Sequence, residues 1–469
     1  MASTTAPMRP PGQPREPRPR PPHPRAVERR RLAEQRALRR ALVLLGGTLV
    51  VPGTAQLAAG SRRVGRIALR AWLALLLAGA LVWFLVPRGW LLGLAVRPFW
   101  LGTFTLLAWT VGIAWALLLL DAWRLSRPPD LRRWHRVAVL ALTLALCAAV
   151  VVPFSYAARF ASTQRDLVVS LFPSGEAAVA SDGRLNVLLL GGDTGDDRVG
   201  TRTDSIHLLS VDVSTGQPVL FSLPRNLQRA PFPDGTPADR EFPRGFEGEG
   251  DQSAYLLNAL YTYGTENPEL FPGDGDPGIE AVQQAVSATL GLDVHYHAFV
   301  DMAGFVELVD ALGGVEIDVR QRVEIPDASF VIEPGVQRMD GNHALWFARS
   351  RTGSDDYARM ARQRCVISAV AAQADPKVVL ANYQAVAAAT EGVLATDIPQ
   401  DALPRVLELA LQAKDRPLTA VQFVPPLIQP ADPDLDLIRQ TVDDTIKASE
   451  ESAGSGDAGS GNGSAGAAP

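Results

Sequence analysis

The stretch GGDTGDDRVGTRTDS (Gly191–Ser205) carries four aspartates and two arginines between two apolar runs, 187–190 and 206–213. Asp193 closes the first run, and the carboxyl ends of strands are where open α/β sheets bind ligands. Asp204 opens the second run, so the two carboxylates can face each other across the loop's mouth. Two hard oxygen donors with open positions suit Mg²⁺, or Mn²⁺, shared with a phosphate. No Gly-Lys-Ser/Thr follows the glycines, which excludes a Walker phosphate loop. The acids at 193, 196, 197 and 204 miss the alternate spacing of an EF-hand. A solvated acidic turn remains the simpler account of this loop taken alone.

A second cluster lies far along the chain. Arg349 and Arg351 are two apart, and Arg359, Arg362 and Gln363 follow. On a helix Arg359 and Gln363 form an i,i+4 pair and Arg362 lies one turn from Arg359, so the spacing predicts a shared face. Arg225 ends another apolar run in SLPRNL. Guanidinium forks match phosphate oxygens and stay charged at any cellular pH. Salt bridges to Asp355 and Asp356 are the competing account, but surface pairs of that kind contribute little and give no reason for clustering.

Other reactive residues carry less. His295 and His297 alternate on an apparent strand, yet no third zinc ligand accompanies them, so a packed or solvated strand face is expected. Ser205 lacks the G-x-S-x-G setting of a nucleophilic serine. Tyr357 and Phe347 read as core. Cys147 lies in an apolar stretch and Cys365 in the polar half, which forms neither a disulfide framework nor a metal knuckle.

The elements that must hold these groups lie within 184–447. NVLLL, IHLLSVDV and PVLFSL read as strands, with VHYHAFV and VEIDV as two more. Helical spacing marks IEAVQQAVSATLG, MAGFVELVDALGG, GNHALWFARSR and DDYARMARQRCVISAVAAQA. Interleaved strands and helices predict a layered α/β domain rather than a sandwich.

Ahead of this domain lie four apolar stretches, 41–60, 68–86, 98–120 and 137–157. A bilayer core needs about 20 apolar residues per helix. The last three qualify, whereas the first is broken by glycines, Pro52 and Gln56. Residues 1–136 hold 22 arginines against 5 acids, and the remainder holds 23 basic against 45 acidic residues. By the positive-inside rule the N-terminus, 61–67 and 121–136 are cytoplasmic. That is met by three spanning helices with 41–60 re-entrant or interfacial, which puts the acidic domain outside the cytoplasm. The arginines are accounted for by orientation and anionic lipid, not by nucleic acid. Residues 1–40 (Arg/Pro-rich, cytoplasmic) and 448–469 (Gly/Ser/Ala-rich) are expected to be disordered.

The blocks NVLLLGGDTGDDRVGTRTDSIHLLSVDVSTGQPVLFSLPRN, NALYTYG, FVELVDALGGVEIDV and MDGNHALWFARSR…DDYARMARQ together resemble the LytR-CpsA-Psr family, over roughly 184–372. The resemblance implies an α/β/α arrangement about a central mixed sheet, behind a membrane anchor. It implies transfer of a glycopolymer from a polyprenyl-pyrophosphate carrier to peptidoglycan, leaving polyprenyl phosphate. Asp193 and Asp204 match the family's metal carboxylates. Arg202, Arg225, Arg349, Arg351, Arg359 and Gln363 match its pyrophosphate contacts, with Arg362 beside them. A Mg²⁺ ion would neutralise phosphate charge while the arginines clamp nonbridging oxygens, since phosphoryl transfer rests on positioning and electrostatics. Two departures stand out: Asn226 and Leu256 replace an aspartate and a basic residue, and Arg229 is the alternative source of the missing contact. A general base is expected, but nothing selects between Asp196 and Asp197. The rival readings are a hydrolase using the same site on water and a non-catalytic, membrane-bound regulatory or binding protein.

Overall fold

The computed structural model describes residues 24–86, 88–126, 132–178, 180, 182–193, 202–273, 275–325, 330–352, 356–373, 394–414 and 416–456. The chain forms two units. The first takes in residues 1–86 and 105–159, the second residues 87–104 and 160–469.

In the first unit, α1 (Pro24–Val50) is followed by the short α2 (Thr54–Ala59) and by α3 (Arg62–Leu85). After α4 (Arg88–Ala95) come α5 (Pro98–Leu125) and α6 (Arg133–Leu171), helices that run through both units. Among the described residues three helices are long and apolar enough to cross a membrane: α3, α5 and α6. They correspond to the expected stretches 68–86, 98–120 and 137–157. Residues 41–60 instead pack as the end of α1 and as α2. Gln56 there donates from Nε2 to the Leu118 carbonyl and to Asp121 Oδ2, both at 3.0 Å, and Trp115 Nε1 donates to the Thr48 carbonyl at 2.9 Å.

The expected tails need correction. Helix α1 takes in residues 24–40, because Pro24 occupies a helix-starting position and AVERRRLAEQRALRRALVLL is rich in strong helix formers. Residues 1–23 lie outside the described residues. At the other end the last helix runs to Gly456, with Ser449 buried and Glu450 Oε1 3.3 Å from Arg184 Nη1. Packing thus extends the helix into the glycine-rich tail; 457–469 lie outside the described residues.

The second unit is built on a six-stranded mixed sheet. Its strands are β1 (Arg184–Asp193), β2 (Arg202–Asp212), β3 (Pro218–Leu223), β4 (Tyr296–Asp301), β9 (Leu394–Thr396) and β10 (Thr419–Gln422), in the order β10-β3-β2-β1-β4-β9. The β1–β2, β2–β3 and β4–β9 pairs are antiparallel, and β1–β4 and β3–β10 are parallel. Two small antiparallel pairs, β5 (Val315–Val319) with β8 (Gly335–Met339) and β6 (Val323–Ile325) with β7 (Phe330–Ile332), stand beside it.

Alternation along the strands divides the sheet's side chains between two environments. Leu188, Leu190, Ile206, Leu208, Phe221 and Phe299 pack with α8 (Leu260–Glu266), α9 (Pro277–Leu290) and the C-terminal α14 (Leu435–Gly456). Full burial of such side chains stabilises by roughly 2 kcal/mol each. The intervening loop carries the five-residue α7 (Pro237–Glu241) and an aromatic cluster of Phe232, Phe242, Phe246 and Phe271. The opposite side chains, including Leu189, Leu209 and Ala298, face a cavity. A second core closes that cavity. It joins β5 to β8 with α10 (Met302–Ala311), α11 (Gly341–Arg349) and α12 (Asp356–Gln373). Val168 and Phe172 at the end of α6 pack with Leu185, Tyr296 and Leu403, the first residue of α13 (Leu403–Lys414). The second unit therefore begins before the expected boundary at 184.

Candidate active site

Strands β1 and β2 create the first part of the site through an irregularity. Gly191 pairs with Ser205, but Gly192 pairs with Thr203, so Asp204 is an extra residue on β2. A bulge of this kind reverses side-chain phase. Ser205, His207 and Leu209 face the cavity by ordinary alternation, and the bulge brings Asp204 and Arg202 onto the same side. Without it, both would point with Ile206 and Leu208 into the opposite core.

Arg225 enters from the turn after β3. Its backbone is fixed by the NALYTYG segment, where Asn258 N donates to the Arg225 carbonyl at 3.0 Å and Leu257 N to the Leu227 carbonyl at 2.9 Å. Its Nη1 donates to Asp204 Oδ1 at 2.7 Å, and its Nε lies 3.3 Å from Asp356 Oδ1. Arg349 ends α11, with its guanidinium 5.6 Å from the Trp346 ring centroid. Ser350 next to it is buried and donates from Oγ to the Glu324 carbonyl at 3.1 Å, which pins the turn that carries Arg349 and Arg351.

Helix α12 supplies one continuous stripe. Arg359, Gln363, Val366, Ile367 and Val370 recur at helical spacing and all line the cavity. The stripe begins with a guanidinium and ends with aliphatic groups. Arg359 is 2 % exposed, and its Nη2 lies 3.1 Å from Asp356. Burial lowers its pKa from the ordinary arginine value and the Asp356 carboxylate opposes that; the group stays charged. Asp356 Oδ1 also lies 3.6 Å from Arg351 Nε. One carboxylate oxygen thus faces three guanidinium groups, and no hydrogen bond reaches it in proper geometry. Sequence reasoning treated Asp356 as an ordinary surface partner and missed this central place. Its spacing three residues before Arg359 was the available signal.

The cavity encloses 1080 Å³. Its lining combines Arg202, Asp204, Arg225, Arg349, Arg351, Arg359 and Gln363 with apolar groups such as Phe305, Leu308, Val309 and Val370. Burial by itself would raise the Asp204 pKa, but the Arg225 hydrogen bond and the charges of Arg225, Arg359 and Arg351 outweigh it and hold the carboxyl below its ordinary value. An ionised carboxylate is a hard oxygen donor, so the chemistry of Asp204 fits that of a single ligand to Mg²⁺ or Mn²⁺. Asp193 ends β1 with its backbone opposite Arg202. Among the described residues no group of three or more His, Cys, Asp or Glu side chains is placed to hold a metal by itself.

Several expected residues stand elsewhere. Arg362 does not join the charged stripe: its Nε donates to the Phe347 carbonyl at 2.9 Å, and its Nη2 donates to the Ser350 carbonyl. The physical reason is angular, since positions i+3 and i+4 lie about 100° apart around a helix. Gln363 turns inward and Arg362 turns toward α11. Arg229 is engaged by Asp432 and the Ala431 carbonyl, away from the cavity lining, so it does not make up for Leu256 or Asn226. His295 precedes β4 and accepts from Asn186 N at 3.1 Å through Nδ1, and His297 Nδ1 lies 3.1 Å from Asp397 Oδ2. Phe347 is core. Asp196, Asp197 and Asp355 lie outside the described residues.

The LytR_cpsA_psr family profile matches residues 158–425. The chain is 29 % identical over 225 residues to a protein named Polyisoprenyl-teichoic acid--peptidoglycan teichoic acid transferase TagU from Enterococcus faecalis, covering 47 % of this chain and 64 % of that protein. It is 28 % identical over 211 residues to Biofilm regulatory protein A from Streptococcus mutans, covering 42 % and 46 %. The chain therefore spans less than two thirds of the length of each of these relatives. Among solved structures, LytR-CPS2A-psr family protein YwtF (TagT) with bound octaprenyl pyrophosphate lipid aligns with a TM-score of 0.38 and 16 % identity, over 58 % of this chain and 93 % of that one. With the family profile covering more than half of its length, this chain belongs to the LytR_cpsA_psr family.

Proposed function

We propose that this protein is a membrane-anchored phosphotransferase that moves a glycopolymer from a polyprenyl-pyrophosphate carrier onto peptidoglycan on the outer side of the membrane. The observation that carries the reading is the composition of one cavity, which combines a set of guanidinium groups with a predominantly apolar lining. An amphiphile with a diphosphate head and an isoprenoid tail matches both. The name of the Enterococcus relative agrees with a transferase acting on a wall polymer.

In this mechanism the diphosphate takes the place that the Asp356 carboxylate fills between Arg225, Arg351 and Arg359. Guanidinium groups fixed before the reaction stabilise charge that gathers on the departing phosphate, without reorganising. The acceptor hydroxyl attacks the polymer-bearing phosphorus. A new O–P bond forms, the bridging P–O bond breaks, polyprenyl phosphate leaves, and the hydroxyl proton passes to solvent or to a general base. Mg²⁺ or Mn²⁺ held by Asp204 with Asp193 would supply charge neutralisation at the phosphate oxygens. Gln363 orients the head, and the aliphatic wall excludes water from the tail.

The test is the full chain in lipid nanodiscs, given lipid-linked glycopolymer and peptidoglycan. Polymer attached to the wall material is the expected product, lost on Arg349→Ala or Asp204→Ala. Polymer phosphate released only into solution would instead favour the hydrolase. Full wall attachment by both variants, with loss on deleting residues 1–40, would favour a non-catalytic role for the cavity.

A further inference from the structure

A buried hydrogen-bond chain crosses from β3 to the cavity. Ser222 Oγ lies 2.8 Å from His207 Nδ1, and His207 Nε2 lies 3.0 Å from Ser205 Oγ. Ser222 is fully buried and His207 nearly so, while Ser205 lines the cavity beside Asp204. A neutral imidazole donates from one nitrogen and accepts at the other, so the chain has a direction.

Its direction follows from Ser222. Among the described residues the Ser222 hydroxyl has one hydrogen-bond partner, His207. A buried hydroxyl proton left without an acceptor is costly, whereas an unused lone pair is cheaper. Ser222 therefore donates to Nδ1, which leaves the proton on Nε2, and Nε2–H donates to Ser205 Oγ. The Ser205 proton is then free to point into the cavity. Gly191, opposite Ser205 on β1, keeps that approach open, since a Cβ there would come 2.9 Å from Ser205 Cβ.

We infer that Ser205 is a further phosphate-binding residue: a hydroxyl donor directed by the Ser222–His207 chain toward an anionic oxygen in the arginine-lined region. This rests on the diphosphate reading above. It differs from a role for Ser205 as a nucleophile activated by His207, because the ring's second nitrogen is paired with the Ser222 hydroxyl and not, among the described residues, with a carboxylate. Burial and the nearby Arg359 charge push the His207 pKa down to about 4, which keeps the ring neutral and the chain directed.

The probe is farnesyl pyrophosphate, titrated calorimetrically into the full chain in nanodiscs. Wild type is expected to bind. Ser205→Ala should weaken binding by roughly ten- to a hundredfold, the range for a hydrogen bond to a charged group. Ser205→Thr, which keeps the hydroxyl, should recover most of that loss. Ser222→Ala frees the histidine to change tautomer and should weaken binding severalfold. Ring ¹⁵N spectra, with His207→Gln identifying the resonance, should show the proton on Nε2. Unchanged affinity in a folded Ser205→Ala protein, or a proton on Nδ1, would overturn the assignment. Failure of wild type to bind would overturn the diphosphate reading itself, and this assignment with it.

Discussion

His207 is a titratable residue held almost wholly out of water. It is hydrogen-bonded at both nitrogens to serines and held near Arg359, with a pKa of about 4 against an ordinary value of 6.5. The unfolded chain binds a proton here as pH falls below 6.5, and the folded chain does not until about 4. Stability contributed by neutral His207 is thus complete above pH 6.5 and is lost progressively toward pH 4. The loss between pH 6.5 and 5 should be roughly 2 kcal/mol. It is measured as the change in unfolding free energy from hydrogen exchange of β2 and β3 in the full chain. His207→Gln, which cannot titrate, should flatten this slope. An equal slope in the variant would assign the acid sensitivity to other groups.

Among the elements, the helix α12 and the body of β2 were legible, and the bulge within β2 was not. Arg359 and Gln363 share a face as their i,i+4 spacing predicts, and the strands NVLLL, IHLLSVDV and PVLFSL fall where alternation and apolar runs place them. The bulge at Asp204 has no sequence marker, and it decides which face Arg202 and Asp204 occupy. The central place of Asp356 was marked only in part: its i,i+3 spacing to Arg359 is in the sequence, but Arg225 arrives from another segment. Arg362 shows the complementary error, in which a charge near the site serves packing. It joins α12 to the end of α11 through two backbone carbonyls. Arg362→Met is therefore expected to cost about 1–3 kcal/mol of stability and to lower kcat through misplaced Arg349 and Arg351. Arg351→Ala, half exposed, should raise KM with little change in thermal stability. Melting temperatures and steady-state kinetics of the two variants separate these roles; identical profiles would return Arg362 to the phosphate site.

At the scale of the molecule, the second unit contains both the segment between the second and third apolar stretches and the sheet domain. Val96 packs in the same core as Leu185 and Leu403. Two segments of one packed unit share a side of the membrane, so an even number of crossings separates them. In the proposed topology α5 and α6, both long and apolar enough to cross, supply two. The basic segments 61–67 and 121–136 are then proposed to lie on the opposite side, where the arginine distribution expects them. The chain carries its own reporter for the side. Its two cysteines are Cys147, within the apolar α6, and Cys365, exposed on α12. A membrane-impermeant maleimide applied to intact cells should label Cys365 without lysis, and Cys365→Ser should abolish the signal. Labelling that needs lysis would place the cavity in the cytoplasm, where peptidoglycan is out of reach, and the transferase reading would fail with it.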